Sequence, residues 1–248
     1  MCIRDRSTTP LLGVGQAYAE EALVAVASNF VGIASVLEAD FERATEHELT
    51  ITSGSTGKLF AQIVHGAPYD VFLAADRQRP RRLVEQGYAV EGSQRTYANG
   101  RLTLMASLGD ERATDASDAV TRLKQGDFDR LAIANPDLAP YGRAAQEVLR
   151  HLGIADEVSS RVVRGENIGQ TYALVSTGNA DLGFVARAQR PTQAHSVWSI
   201  PSSMHSPIRQ DLVLLDRAKD NEAARAFVAF LEIPAARARI SAAGYEVE

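Results

Sequence analysis

LVAVASNF (23–30), LTITSGSTGKLFAQI (49–63) and, more loosely, RLAIANPDLAPYGRAA (130–145) share one arrangement that decides the fold of this chain. Each is an apolar run followed by a short polar turn and then by an amphipathic helical pattern. Continuous apolar runs indicate strands buried on both faces, which are typical of parallel sheets joined by helices. Each turn places hydrogen-bonding side chains and backbone N–H groups at a helix N-terminus, where an anion is stabilised. The three segments therefore predict an α/β fold with an oxyanion site at converging helix ends.

The same alternation of strand and helix continues from Glu20 to the end of the chain. Further strands are predicted at 70–75, 100–107, 180–186 and 208–216, and further helices at 118–126, 142–151, 167–176, 221–232 and 234–244. Two α/β lobes with the chain crossing between them more than once fit this pattern. A single large doubly wound sheet fits it nearly as well, so periodicity alone leaves both architectures open.

Composition excludes several functional classes. The chain has 248 residues, 45% of them hydrophobic, and a net charge of −5, which argues against a nucleic-acid partner because phosphates require a basic surface. Some 18 apolar residues never run together, so no transmembrane helix is predicted. Cys2 is the only cysteine, and the five histidines stand singly, without metal-ligand spacing. We therefore expect neither a disulfide framework nor a bound metal cation or cofactor.

The first nineteen residues differ from the rest of the chain. LLGVGQAYA (11–19) has the character of the end of a secretory signal, with Ala17-Tyr18-Ala19 as a small-residue cleavage site. The charged stretch MCIRDRST (1–8) fits poorly with the usual start of such a signal. Residues 1–19 are therefore interpreted as a signal-peptide remnant or a disordered leader, with a cytosolic tail as the alternative.

Motifs of common enzymes fail when each position is compared. GSTGK (54–58) is similar to a phosphate-binding P-loop, but that motif requires glycine in place of Thr52 and a hydroxyl residue in place of Leu59. A dinucleotide-binding G-x-G-x-x-G after the first strand and a G-x-S-x-G nucleophile elbow are both absent from the sequence. The polar turns contain hydroxyls and amides but no base, so we expect a binding protein that is not an enzyme.

Five segments in order resemble the periplasmic molybdate-binding proteins of ABC transporters: VAVASNF (24–30), SGSTGKLFAQIVHGAPYDVFLAAD (53–76), ANPDLAPYGRAAQEVL (134–149), GENIGQTYALVSTGNADLGFVA (165–186) and GYE (244–246). The resemblance implies a two-lobed periplasmic binding protein fold of type II, each lobe a mostly parallel sheet flanked by helices. It implies one lobe of residues 20–99 with 206–248, another of 100–205, and hinges near Tyr97–Arg101 and Ser202–Pro207. It further implies a periplasmic monomer that delivers molybdate or tungstate to a membrane permease, with the leader cleaved after Ala19.

The resemblance also implies a set of ligand-binding residues. These are hydroxyl and amide groups in the first lobe and, in the second, a tyrosine acting through its backbone or hydroxyl and a backbone N–H: Ser28, Asn29, Ser55, Thr56, Tyr141 and Ile168. Taken singly, Ser28 and Ser55 are equally typical of helix caps, and Tyr141 of a packed aromatic residue. Ala186 stands where the family often has a tyrosine, so one phenolic donor is missing.

The chemistry of a tetrahedral dianion agrees with these residue types. Such an ion offers many acceptor lone pairs and no donors, so its best partners are neutral N–H and O–H groups. A site of this kind rejects protonated anions, and its choice between molybdate, tungstate and sulfate depends on cavity size. Two alternatives remain open, namely a binding protein for another oxyanion such as sulfate or phosphate, and an effector-sensing domain.

Overall fold

The computed structural model describes residues 19–111, 115, 117–190, 194 and 196–247. The interpretation of the leader falls almost entirely on residues 1–18, outside the described part of the chain. The elements, in chain order, are β1 (Glu21–Ala27), α1 (Val31–Ala44), β2 (Glu48–Gly54), α2 (Thr56–Val64), β3 (Val71–Leu73), α3 (Gln78–Glu85), β4 (Arg95–Gly100), β5 (Leu102–Ala106), α4 (Asp118–Gln125), β6 (Leu131–Ala134), α5 (Pro140–His151), α6 (Ala155–Val158), β7 (Val162–Gly165), α7 (Ile168–Ser176), β8 (Leu182–Ala186), β9 (Val197–Ser199), β10 (Ile208–Leu214), α8 (Glu222–Phe230) and α9 (Pro234–Ala242). In this described part, no helix combines the length and apolar character needed to span a bilayer.

Two five-stranded sheets form the molecule, which confirms the two-lobed α/β fold. The first lobe contains the sheet β2-β1-β3-β10-β4, and the second lobe contains the sheet β7-β6-β8-β5-β9. In the first sheet only β10 runs against its neighbours, and in the second only β5 does so. Four strands of each sheet thus point the same way. The alternative of one large doubly wound sheet is wrong.

The chain passes between the sheets at two places in the described residues. β4 of the first sheet leads through Arg101 alone into β5 of the second, and residues 200–207 return from β9 to β10. The strand predicted at 100–107 corresponds to β5, whereas the preceding strand β4 was missed. Gly100 is the last residue of β4, and its backbone lies against the Tyr141 hydroxyl, where a Cβ atom would overlap with that oxygen. The contact between Gly100 and Tyr141 forms only in the tertiary structure, so the local sequence pattern does not predict it.

Each sheet has its own hydrophobic core. In the first lobe Phe30, Phe41 and Phe227 pack around β1, and Phe41 and Phe227 meet edge to face at 5.4 Å. In the second lobe, fully buried Leu104 and Phe184 pack against residues of α5. Each buried side chain of this size contributes roughly 1.5–3 kcal/mol. Because β1, β2, β6 and β7 all end at the cleft between the lobes, the cores place the following turns there.

Candidate anion-binding site

A small cavity lies in the cleft, at the ends of these strands. The space in it that a water-sized sphere can reach is about 10 Å³, and it is lined by Ala27, Ser28, Asn29, Gly54, Ser55, Thr56, Ala75, Ala139, Pro140, Tyr141, Asn167 and Ile168. Pockets for drug-sized molecules occupy roughly 300–1,000 Å³, so this one suits an ion of a few atoms. All six residues chosen from the sequence lie on this one cavity. Sequence reasoning missed Asn167, although an asparagine directly before a helical pattern is a usual cap signal.

Ser28 follows β1 on the wall formed by the first lobe. Its backbone N–H donates to the Gly54 carbonyl at 2.9 Å, and its Oγ accepts from the Gly169 N–H of the second lobe at 3.3 Å. The next helix is capped by the backbone of Phe30 without a side-chain bond, so Ser28 is not a helix cap. Because a hydroxyl that accepts one hydrogen bond still has its own proton, the Ser28 Oγ can donate to a ligand in the cavity.

Ser55 and Thr56 begin α2 on the same wall. The Ser55 Oγ accepts from the Lys58 N–H at 3.4 Å, so Ser55 caps the helix through a long hydrogen bond. The Thr56 Oγ1 accepts from the Ala75 N–H at 3.1 Å, which holds the hydroxyl in place. As the first residue of the helix, Thr56 also has a backbone N–H without an acceptor inside the helix. Both residues therefore combine a structural bond with a remaining donor.

The second lobe contributes the starts of two helices. Pro140, which lacks an N–H, is the first residue of α5, so Tyr141 carries the first backbone donor of that helix. Ile168 is the first residue of α7, which Asn167 caps by accepting from the Gln170 N–H at 2.9 Å. The first N–H groups of a helix lack acceptors inside the helix and carry its positive dipole end. This wall therefore offers backbone donors to an anion.

The Tyr141 side chain occupies a different position from its backbone. Tyr141 is almost completely buried, and its hydroxyl makes no hydrogen bond of normal geometry. Burial raises the pKa of the Tyr141 phenol, the phenols of Tyr245 and Tyr97 raise it further, and the nearby Asn29 amide opposes them. The phenol therefore stays protonated and uncharged. Because the phenol lies against Gly100, the donor that Tyr141 offers to the cavity is its backbone N–H at the start of α5.

Charged side chains lie at the rim of the cavity and connect the two lobes. Lys58 pairs with Glu166 at 2.7 Å, and Arg143 pairs with Asp76 at 3.1 Å. The lobes also touch directly, because the Gly57 N–H donates to the Leu138 carbonyl at 2.8 Å. Lys58 and Glu166 are about half exposed, so their pair contributes about 0–1 kcal/mol. Asp76 is buried and also pairs with Arg79, whereas Arg143 is partly exposed. The cavity itself is lined by neutral groups, with the lobes in contact around it.

The position of Ala186 and the search for metal ligands also bear on the chemistry of the cavity. Ala186 ends β8 opposite Leu102 and is not among the residues that line the cavity. Among the described residues, no group of three or more histidine, cysteine, aspartate or glutamate side chains is arranged to hold a metal ion. The donors assembled here are hydroxyl and amide groups, which suit an anion.

The family model for bacterial extracellular solute-binding proteins matches residues 22–246. The chain belongs to this family. Within the family, the molybdate-binding protein ModA of Azotobacter vinelandii is 42% identical over 236 residues, covering 94% of this chain and 92% of the relative. The ModA protein of Rhodobacter capsulatus is 41% identical over 233 residues, covering 94% and 90%. These matches confirm the resemblance predicted from the five segments.

The fold agrees with a solved structure of the same family. The periplasmic molybdate-binding protein of Azotobacter vinelandii superimposes with a TM-score of 0.85 at 38% identity, covering 92% of this chain and 99% of that one. The agreement extends over both lobes and the strands that join them.

Proposed function

We propose that this chain binds molybdate, and equally tungstate, and delivers the anion to the membrane permease of an ABC import system. The observation that carries the proposal is the small, neutral, donor-lined cavity between two touching lobes. Relatives above 40% identity that are named molybdate-binding proteins supply the choice of anion.

The proposed contacts divide between the lobes. In the first lobe they are the hydroxyls of Ser28, Ser55 and Thr56 and an amide of Asn29. In the second they are the backbone N–H groups of Tyr141 and Ile168. Hydrogen bonds to a charged group contribute about 1.5–3 kcal/mol each, so several neutral donors can offset the loss of hydration of a dianion. A buried cation is not required.

We further propose how the molecule works as a carrier. Residues 20–99 with 206–248 form one rigid lobe and 100–205 the other, and they close over the anion by bending at Arg101 and at 200–207. The carrier is a periplasmic monomer whose leader is cleaved after Ala19, and it has no catalytic activity, cofactor or nucleic-acid partner. The contacts that cross the cleft support this closed form.

A thermal-shift and calorimetric comparison of four anions tests the proposal. Molybdate and tungstate should stabilise the purified protein similarly, by about 2.7 kcal/mol at one hundred times the dissociation constant. Sulfate, which is smaller, and phosphate, which keeps a proton near neutrality, should stabilise it much less. Because sulfate and phosphate at high concentration stabilise proteins in general, the anions are compared at micromolar concentration, with the Ser28→Ala variant as a control.

Another oxyanion is the competing outcome of the same experiment. The cavity walls present donors that any tetrahedral dianion can use. Because Ala186 stands where the family often has a tyrosine, the preference for molybdate over sulfate should be smaller. Stronger stabilisation by sulfate or phosphate than by molybdate would contradict the proposed ligand.

A further inference from the structure

Both protons of the Asn29 carboxamide nitrogen are already donated within the protein. Its Nδ2 carries two protons, of which one goes to the Gln210 Oε1 at 2.7 Å and the other to the Tyr245 Oη at 3.1 Å. A carboxamide with both protons in use has no donor left for an anion. Asn29 lines the cavity, so the donor that remains to it is its backbone N–H.

Tyr245 holds Asn29 a second time, through the backbone. The phenol O–H donates to the Asn29 carbonyl at 2.6 Å while its oxygen accepts from the Asn29 side chain. Phe30, the next residue, packs edge to face on the Tyr245 ring at 5.2 Å. The Tyr245 side chain thus holds the Asn29 carbonyl, the Asn29 carboxamide and the ring of the following residue, Phe30.

These partners are themselves held by the first lobe. Gln210 is completely buried on β10, and Tyr245 is 4% exposed. The segment that carries Tyr245 joins β4 through two backbone hydrogen bonds between Asn99 and Glu246, at 2.8 and 3.0 Å. Burial raises the pKa of the Tyr245 phenol, so it remains a donor at any physiological pH. The network is therefore neutral and rigidly placed.

We infer that Gln210 and Tyr245 are positioning residues that orient Asn29 so that its backbone N–H, and not its carboxamide, contacts the bound anion. The inference rests on the proposed function and goes beyond it, because neither residue lines the cavity. A donor held before binding loses no conformational freedom when the ligand arrives, and affinity gains accordingly. The C-terminal segment thereby contributes to anion binding without touching the anion.

A double-mutant cycle with Asn29→Ala and Tyr245→Phe tests the inference by calorimetric titration with molybdate. Phenylalanine keeps the ring packing and removes both hydrogen bonds of the phenol. Each single variant should weaken binding about 3- to 10-fold, the range expected for a neutral hydrogen bond. Because both act through the same contact, the double variant should bind about as weakly as the weaker single variant. Multiplying losses would show that the Asn29 carboxamide contacts the anion independently and would overturn the inference.

Tyr69→Phe is the matched control. Tyr69 is buried in the same lobe, and its hydroxyl donates to the Gln62 Oε1 at 3.1 Å away from the cavity. This variant should lower the apo-protein melting temperature, though less than Tyr245→Phe because only one partly buried hydrogen bond is lost, and leave the molybdate affinity unchanged. An equal loss of affinity in both variants would assign the effect to general stability and overturn the inference.

Nuclear magnetic resonance adds a readout that a purely structural role does not change. On saturation with molybdate, the backbone amide signal of Asn29 should shift strongly and its carboxamide signals only slightly, and the reverse pattern would overturn the inference. Wild-type protein that binds none of the four anions would instead overturn the proposed function and this inference together. The two failures are therefore distinguishable.

Discussion

The two walls of the cavity offer different kinds of hydrogen-bond donor. The first lobe presents mainly side-chain hydroxyls, those of Ser28, Ser55 and Thr56, beside the backbone N–H of Asn29, whereas the second presents the backbone N–H groups of Tyr141 and Ile168. A hydroxyl is lost by a single substitution, but a backbone donor survives almost any change of side chain. The first wall should therefore be sensitive to residue identity, and the second to helix geometry.

Helix geometry on the second wall is fixed by close packing. Gly142, in the first turn of α5, lies directly on the Ala134 carbonyl at the end of β6, where a Cβ atom would overlap with that oxygen. Pro140 and the Asn167 cap set the starts of α5 and α7. Packing and helix caps, and not the side chains of Tyr141 and Ile168, thus determine where the backbone donors of this wall lie.

The largest effect is expected on the first wall. Ser28→Ala and Ser55→Ala should each weaken molybdate binding by about 1.5–3 kcal/mol, because each removes a donor to a buried charge. Ser28→Ala should have the larger effect, since it also removes the acceptor of the Gly169 N–H. Isothermal titration calorimetry measures the change, with Ser93→Ala as the control because Ser93 Oγ bonds the Val90 carbonyl away from the cavity. Unchanged affinity in both variants would refute the assigned wall.

The second prediction removes a backbone donor without breaking its helix. Ile168→Pro deletes the N–H at the first position of α7, where proline is well tolerated and where Asn167 is already extended, with φ −142° and ψ 174°. Binding should weaken by about 1.5 kcal/mol, at the lower end of the range for a charge-assisted bond. Ile168→Ala is the matched control, because it loses apolar volume but keeps the N–H. If alanine weakened binding as much as proline, the backbone would not be the donor.

The smallest effect is expected at the rim, which belongs to both walls. Arg143→Met removes the pair with Asp76 across the cleft, and binding should weaken by at most about 1 kcal/mol, mainly through faster dissociation. Arg81→Met is the control, since Arg81 pairs with Glu85 inside α3 of one lobe. Stopped-flow measurements following Trp198 fluorescence report the rates, and small-angle scattering reports closure. Equal dissociation rates in both variants would show that the rim does not hold the lobes together.

The parts of the site that sequence reasoning found are those encoded locally. Ser28, Ser55 and Ile168 were chosen because the chain resembles the family, and each lies at the turn between a strand and the helix that follows it, a position that the local pattern also marks. Gln210 and Tyr245 contact Asn29 across 181 and 216 residues, and no local pattern reports such a pairing. The missed strand β4 and the ion pair between Asp76 and Arg143 have the same cause. Contacts between distant segments arise only once the sheets are assembled.

The neutral lining of the cavity bears on how a bound ion is released. Among the described residues that line it, Tyr141 alone is ionisable, and burial raises the pKa of that phenol. We therefore expect the affinity for the anion to be unchanged by pH within the physiological range. The affinity depends instead on the distance between the donors and the anion, because a hydrogen bond is lost when it lengthens by about an ångström. The donors belong to two different lobes. In the proposed carrier, moving the lobes apart therefore withdraws the donors of one lobe from the ion and exposes the ion to water.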